Sequence, residues 1–253
     1  MSMFEIVFSP TGGTEKVSGL VTGTLDGNIV AVDLTDSGLD FHGVSMAKGD
    51  VAVISVPSYA GRVPAVAVER LGMVRGNGAR AVLVCVYGGR AFEDTLIELE
   101  DVAKRAGFRV VAAVSAIAEH SVARQFAAGR PDAQDVAQLS EFAQRIRQKL
   151  LDGAASEPSI PGNRPYKQAG GHSMVPHATE DCVSCGACAA LCPVRAIDKD
   201  DPRQVDGEAC ISCMRCVSVC SQNARKLDPN KLAAVTQMLS KVCVVRKECE
   251  LFI

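Results

Sequence analysis

The sequence predicts an α/β protein in which a doubly wound parallel sheet precedes a smaller, cysteine-rich α+β domain. Short apolar runs alternate with stretches of helical spacing up to about residue 151, which is typical of a parallel sheet with helices on both faces. Cys85 is the only cysteine before residue 182, and the other ten lie between Cys182 and Cys249. A length of 253 residues fits two such unequal domains.

Five short apolar runs are the predicted strands of the sheet, since apolar runs of this length bounded by turn residues are typical of buried strands. They cover residues 4–8, 28–34, 50–56, 79–86 and 108–117. Helical spacing is clearest at 93–106 and at 132–151, where Asp132 is a predicted cap. The sheet is therefore expected to have five strands and an alternating strand and helix connectivity.

The domain limits follow from composition. Residues 152–168 are rich in Pro, Gly, Ala and Ser and have no apolar periodicity, which favours a linker. We therefore expect a first domain at 1–151, a linker at 152–169 and a second domain at 170–253, including a C-terminal extension.

Charge and hydropathy exclude several classes of function. The net charge is −2, and the basic residues are dispersed, so the chain has no electrostatic footprint for nucleic acid or an anionic membrane. The first apolar run has no basic flank, which argues against a secretory signal, and no apolar stretch is long enough to span a bilayer. These features predict a cytoplasmic protein, in which a set of cysteines indicates metal ligation rather than disulfides.

The ten cysteines between Cys182 and Cys249 include two groups of four with the spacing C-x2-C-x2-C-x3-C. The first is Cys182, Cys185, Cys188 and Cys192, and the second is Cys210, Cys213, Cys216 and Cys220. This spacing is typical of [4Fe-4S] cluster ligands. Structural zinc sites with C-x2-C pairs are an alternative, and a disulfide framework is another. Cys85, Cys243 and Cys249 are interpreted as packed or idle thiols.

Residues 9–14 (SPTGGT) follow the first predicted strand and open a helix. Hydroxyls, glycines and backbone N–H groups at a helix N-terminus can bind a phosphate. The P-loop and G-x-G-x-x-G patterns are absent, which disfavours nucleoside triphosphate and dinucleotide sites. An ordinary strand-to-helix turn is the alternative.

Two further loops follow the third and fourth predicted strands, at 57–64 and 87–94. Loops after strands 1, 3 and 4 meet at the topological switch point of a sheet with the order 2-1-3-4-5. The candidate binding residues of the three loops are Ser9, Thr11, Gly12, Gly13, Thr14, Pro57, Ser58, Tyr59, Ala60, Gly61, Arg62, Tyr87, Gly88, Gly89 and Arg90. The two tyrosines could instead belong to the core, and the two arginines could be surface charges.

The loop at 9–14 resembles the S-x-T-G-x-T phosphate loop of flavodoxins, and the cysteine quartets resemble those of bacterial two-cluster ferredoxins. Taken together, the chain resembles flavodoxin-ferredoxin fusion proteins. The resemblance implies a flavodoxin-like sheet that binds FMN, with Tyr59 and Tyr87 near the flavin, and two [4Fe-4S] clusters. It also implies interleaved ligand sets, with Cys182, Cys185, Cys188 and Cys220 on one cluster and Cys210, Cys213, Cys216 and Cys192 on the other.

Three functions are compatible with this resemblance. The first is electron transfer between FMN, the clusters and outside redox proteins such as a ferredoxin-linked donor or acceptor. The second is a flavin-dependent reductase of a small organic acceptor, in which the clusters refill the flavin. The third is a docking module without flavin. His120 follows the fifth strand and is a candidate for proton transfer near the flavin, whereas His172 and His177 are expected in the linker region.

Overall fold

The computed structural model describes residues 2–25, 28–153, 156–171 and 174–253. Its first domain is built on a six-stranded sheet, and the sixth strand, β8 (Glu250–Phe252), lies at the edge beside the fifth. The first five strands are parallel, which confirms the predicted flavodoxin-type order 2-1-3-4-5. They are β1 (Met3–Val7), β2 (Ile29–Asp33), β3 (Val51–Pro57), β4 (Arg80–Tyr87) and β5 (Arg109–Ile117).

Four helices cover the two faces of the sheet: α1 (Gly13–Leu25), α2 (Ala65–Met73), α3 (Thr95–Arg105) and α4 (Ala133–Leu151). Helices α1 and α4 pack on one face, and α2 and α3 pack on the other. Strand β4 is buried along almost its whole length, as expected for a parallel strand covered on both sides. Asp132 caps α4 in a capping box with Asp135, which confirms the predicted start of that helix.

The sixth strand comes from the other end of the chain. Residues Glu250–Phe252 form β8, which pairs antiparallel with β5 at the edge of the sheet. The predicted five-stranded sheet therefore gains one strand, and the last residues of the predicted second domain complete the first. Periodicity does not reveal this pairing because a three-residue strand is too short to show any.

The segment predicted as a linker lies along α3 where the structure describes it. Both the backbone N–H and the side-chain amide of Asn163 donate to Asp94 Oδ1, at 2.8 and 3.0 Å, and Lys167 N–H donates to Asp94 Oδ2 at 2.7 Å. Gly162 has φ 144°, and a Cβ at this position would lie 2.4 Å from Ile97 Cγ2. The glycine thus allows the segment to approach α3 closely.

The second domain consists of short elements around two groups of cysteines. It contains β6 (His177–Ala178), α5 (Ala187–Ala190), α6 (Arg215–Ser218), β7 (Arg225–Lys226) and α7 (Pro229–Ser240). Strands β6 and β7 pair antiparallel, so His177 is an exposed strand residue rather than a linker residue. His172 lies outside the described residues.

None of the helices in the described part of the chain is long and apolar enough to cross a membrane.

Candidate functional site

A cavity of about 210 Å³ lies at the carboxyl ends of the parallel strands, where the strand order reverses between β1 and β3. Its wall takes residues from the loops after β1, β3, β4 and β5. Ligands of open α/β sheets bind at this edge of the sheet. The predicted binding residues in the wall are Thr11, Gly13, Thr14, Pro57, Ser58, Tyr59, Ala60, Tyr87 and Gly88.

The loop after β1 is shaped by its own hydrogen bonds. Ser9 Oγ accepts from Glu15 N–H at 2.9 Å, and Gly12, at φ 85°, accepts from Lys16 N–H at 3.0 Å. These two bonds use the third and fourth N–H groups of α1, while the first two belong to Gly13 and Thr14 in the cavity wall. A helix offers its first N–H groups no internal partner, so they are suited to bind an anion.

The loop after β3 contains a tight turn at residues 59–62. Tyr59 and Arg62 exchange backbone hydrogen bonds at 2.9 and 3.1 Å, and both central residues, Ala60 and Gly61, have positive φ. A Cβ on Gly61 would lie 1.8 Å from Glu93 Oε2, so only glycine fits here without displacing that side chain. The turn presents Tyr59 to the cavity.

Arg62 faces α3 rather than the cavity. Its guanidinium binds Glu98 with two hydrogen bonds of 2.7 Å each, and Glu98 also accepts from Val63 N–H at 2.8 Å. Arg90 similarly pairs with Glu93 at 2.8 Å. The cavity wall also leaves out four other predicted binding residues, which are Ser9, Gly12, Gly61 and Gly89.

The loop after β4 brings Tyr87 and Gly88 to the cavity. Tyr87 is 6% exposed and packs edge-on against Phe92, with ring centroids 5.6 Å apart, so it is a core residue that also contributes to the wall. A Cβ on Gly88 would lie 2.5 Å from the ring of His120. The absence of a side chain at Gly88 therefore lets His120 from the loop after β5 reach the cavity wall.

His120 is held in one protonation state by the backbone. Its Nδ1 accepts from Val122 N–H at 3.2 Å and from Ala123 N–H at 3.1 Å, so the neutral ring carries its proton on Nε2. Burial lowers the pKa of His120 below its ordinary value of 6.5, and the nearby charge of Arg90 acts in the same direction. The histidine is therefore a neutral donor at the cavity wall near pH 7.

This pKa shift predicts a pH dependence of stability. Because the pKa of His120 is lower in the folded chain, the unfolded chain binds the proton first, and stability is expected to fall as the pH drops below 6.5. Urea unfolding of wild type and of His120→Gln at a series of pH values measures this, and the variant should show a shallower loss. The exposed His42→Gln is the control and should behave as wild type. Equal pH slopes in wild type and His120→Gln would contradict the expectation.

Sequence reasoning missed one side of the cavity. Ile211 and Ser212, which lie between Cys210 and Cys213, contribute to the wall, as do Gly170 and Gly171. The hydroxyl of Ser212 is buried and has no hydrogen-bond partner in the described part of the chain. No local sequence signal indicates that this cysteine loop lies against the loops of the sheet, because the contact joins residues about 90 to 200 positions apart along the chain.

Three arginines hold the second domain at this edge of the sheet. Arg70 donates to Leu34 O at 2.6 Å and to Pro193 O at 2.5 Å, and Arg195 donates to Ser37 O at 2.6 Å. Arg215 donates to Ser9 O, in the loop after β1, at 3.4 Å. The cysteine-rich domain is therefore bound directly to the carboxyl edge of the sheet.

The cysteines of the second domain line two small apolar cavities. One is lined by Cys182, Cys185, Cys188 and Cys220, and the other by Cys192, Cys210, Cys213 and Cys216. Each cavity thus takes three cysteines from one quartet and the last cysteine from the other. Within the described ranges, no three His, Cys, Asp or Glu side chains are placed to hold a single metal ion, and no disulfide joins any of the eleven cysteines. Cys85 and Cys249 are buried, as predicted.

Residues 174–238 match the family model of the 4Fe-4S dicluster domain. The C-terminal part of this chain is a two-cluster iron–sulfur domain. A search of curated proteins finds no match. The two-cluster domain thus follows the flavodoxin-type sheet in a single chain, the arrangement of flavodoxin-ferredoxin fusion proteins.

The sheet domain is similar in shape to solved flavodoxins. The flavodoxin of Streptococcus pneumoniae TIGR4 is 20% identical, with a TM-score of 0.41, and the match covers 58% of this chain and 99% of that one. Oxidised Flavodoxin 2 from Bacillus cereus is 15% identical, with a TM-score of 0.44 and coverages of 59% and 99%. Two-electron reduced Megasphaera elsdenii flavodoxin is 16% identical, with a TM-score of 0.39 and coverages of 57% and 99%.

Proposed function

We propose that this chain transfers electrons between an FMN bound at the sheet edge, its two [4Fe-4S] clusters and an outside redox protein. One observation carries the proposal. The cavity formed by the loops of the sheet is closed on one side by Ile211 and Ser212, two residues between the cluster ligands Cys210 and Cys213. A group bound in this cavity lies against the wall of a cluster site.

The residues present fit FMN. Thr11, Gly13 and Thr14 surround the first turn of α1, where N–H groups and hydroxyls can bind the phosphate. Tyr59, Gly88 and His120 line the part of the cavity expected to hold the flavin ring, and the buried Ser212 hydroxyl is a polar group without a protein partner. FMN supplies two-electron chemistry, and each cluster supplies one-electron chemistry.

The two cysteine-lined cavities support the interleaved ligand sets. In this proposal Cys210, Cys213, Cys216 and Cys192 hold the cluster beside the cavity of the sheet, which we name the proximal cluster. Cys182, Cys185, Cys188 and Cys220 hold the other, which we name the distal cluster. Cys185 is exposed, so an outside redox protein can approach the distal cluster there. Joining both modules in one docked chain replaces a collision with an intramolecular contact.

The cofactor content is the first test. Anaerobic purification, followed by assays of iron, acid-labile sulfide and released flavin on one sample, should give about eight irons and about one FMN per chain. Full iron with no flavin, and no rebinding of added FMN, would favour a docking function instead. Rapid turnover of a quinone or enone by the loaded protein would favour a reductase over an electron carrier.

Replacement of Thr14 by valine tests the phosphate site. Thr14 is buried in the cavity wall, and loss of a hydrogen bond to a charged group costs about 1.5–3 kcal/mol, which corresponds to a roughly 10- to 150-fold weaker binding of FMN. Riboflavin, which lacks the phosphate, should bind wild type and Thr14→Val equally. Fluorescence titration of the flavin-free protein measures both affinities.

Thr24→Val is the matched control for this experiment. Thr24 lies at the other end of α1, where its hydroxyl donates to Leu20 O at 3.2 Å. We expect no change in FMN affinity for this variant. Equal FMN affinities for Thr14→Val and wild type would place the phosphate elsewhere.

A further inference from the structure

Arg225 is the largest fully buried side chain among the residues that the structure describes, at 1% exposure. Its guanidinium donates to the carbonyl oxygens of Pro176 and Pro202 and to Cys188 Sγ, the last at 3.4 Å. Its Nε is buried and has no hydrogen-bond partner in the described residues. The ion pairs found among those residues include none with Arg225.

A buried guanidinium without an anionic partner is costly, since a charge is stable in a protein interior only when it is paired and hydrogen-bonded. Arg225 lines the same small cavity as Cys182, Cys185, Cys188 and Cys220. Thiolates and an iron–sulfur centre in this cavity supply the missing negative charge. The placement of Arg225 therefore points to a direct electrostatic role toward the distal cluster.

At the matching position in the sequence, the proximal cluster has an isoleucine instead of an arginine. The two quartets are followed by matching segments, Cys192 to Ile197 and Cys220 to Arg225. Ala196 N–H donates to Cys192 Sγ at 3.3 Å, and Ala224 N–H donates to Cys220 Sγ at 3.2 Å, so the backbone environment is the same in both. The next residue differs between the two segments. Where the second has Arg225, the first has Ile197, a buried apolar side chain in the wall of the cavity of the proximal cluster, which we call the proximal cavity.

A different arginine, Arg215, lines the proximal cavity, but its environment is not that of Arg225. The Nε of Arg215, like that of Arg225, is buried and has no hydrogen-bond partner in the described residues. Arg215 is only half-buried, however, and it donates to Ser9 O at 3.4 Å. No cysteine sulfur accepts a hydrogen bond from it within the part of the chain that the structure describes. Among the arginines of the described residues, Arg225 alone combines full burial with a hydrogen bond to a cysteine sulfur.

We propose that Arg225 raises the reduction potential of the distal cluster above that of the proximal cluster. Reduction adds one electron to a cluster and makes the cluster more negative, so a buried cation hydrogen-bonded to one of its thiolates stabilises the reduced form. At equilibrium, a chain that holds a single electron on its clusters therefore holds it on the distal cluster, beside the exposed Cys185. The inference rests on the interleaved ligand sets of the proposed function.

The test is an anaerobic redox titration of the full, cluster-loaded chain followed by electron paramagnetic resonance. Wild type should show two separate one-electron reduction waves. In Arg225→Ile, which places at this position the residue found in the matching segment, the higher wave should move toward the lower one. Arg225→Gln keeps an amide donor but loses the charge, and it should also reduce the separation.

Arg203→Ile is the control, because Arg203 donates to Cys182 O at 2.7 Å but is exposed, so its charge is screened by water. Its waves should match those of wild type. Coincident waves in wild type would overturn the inference, and so would an unchanged separation in the Arg225 variants when both clusters are present. Iron and sulfide assays on each sample show whether both clusters are present. If wild type holds fewer than two clusters, the cluster assignment of the proposed function is wrong, rather than the inference about Arg225.

Discussion

Replacement of Cys213 by alanine is expected to remove about four of the eight irons per chain, because the proximal cluster would keep only three of its four thiolate ligands and we expect it to be lost during purification. Cys213 is 8% exposed and lines the proximal cavity with Cys192, Cys210 and Cys216. Cys243→Ala is the control, since Cys243 lies in neither cysteine-lined cavity, and its iron content should equal that of wild type. Iron and acid-labile sulfide assays under anaerobic conditions measure the result.

Pairs of cysteine variants test how the ligand sets are interleaved. If Cys192 and Cys213 hold the same cluster, the double variant Cys192→Ala with Cys213→Ala should lose no more iron than either single variant. If Cys192 and Cys188 hold different clusters, as their separate cavities indicate, their double variant should lose nearly all eight irons. The opposite pattern would mean that each contiguous quartet holds its own cluster.

Replacement of Asp135 by alanine is expected to have the largest effect on stability in the first domain. Asp135 is fully buried, and its carboxylate accepts from Arg130 Nε at 2.8 Å, from Arg246 Nη2 at 3.3 Å and from Asp132 N–H at 2.9 Å. Arg130, whose side chain is 7% exposed, also binds Asp135 through Nη2. Removal of one partner of a buried ion pair costs about 3–5 kcal/mol, because the other charge is left buried and unpaired.

The midpoint of urea unfolding, followed by far-ultraviolet circular dichroism, measures this effect. Asp135→Asn keeps the shape of the side chain and one acceptor oxygen but loses the charge, so it should be destabilised less than Asp135→Ala. Glu141→Ala, an exposed change on the same helix, should shift the midpoint little. A midpoint for Asp135→Ala close to that of Glu141→Ala would contradict the assigned role of the ion pair.

The same carboxylate also connects the end of the chain to the first domain. Arg246 pairs with both Asp132 and Asp135, and Arg130 donates to Lys247 O at 2.8 Å, just before β8 joins the sheet. We therefore expect faster tryptic cleavage around residues 246–247 in Asp135→Ala than in wild type. Cleavage at the wild-type rate would show that contacts other than those of Asp135 hold the C-terminal segment.

Local patterns in the sequence determined the five parallel strands, the main helices and the two cysteine quartets. The strand predictions agree with the structure to within one residue at each end, and Asp132 caps α4 as expected. Apolar periodicity, capping and ligand spacing depend on neighbours within a few positions, so a single sequence displays them directly. The phosphate site predicted at residues 9–14 also depends on local sequence, because the prediction rests on the residues at the start of one helix.

Only the tertiary structure decided which residues form the last wall of the cavity and which strand completes the edge of the sheet. Ile211 and Ser212 reach the loops of the sheet because Arg70, Arg195 and Arg215 bind the second domain there. Pairing of β8 with β5 and the contact of Arg225 with Cys188 also join distant parts of the chain. Such contacts leave no periodic trace in the sequence, because their energy comes from hydrogen bonds and charges that meet only after folding.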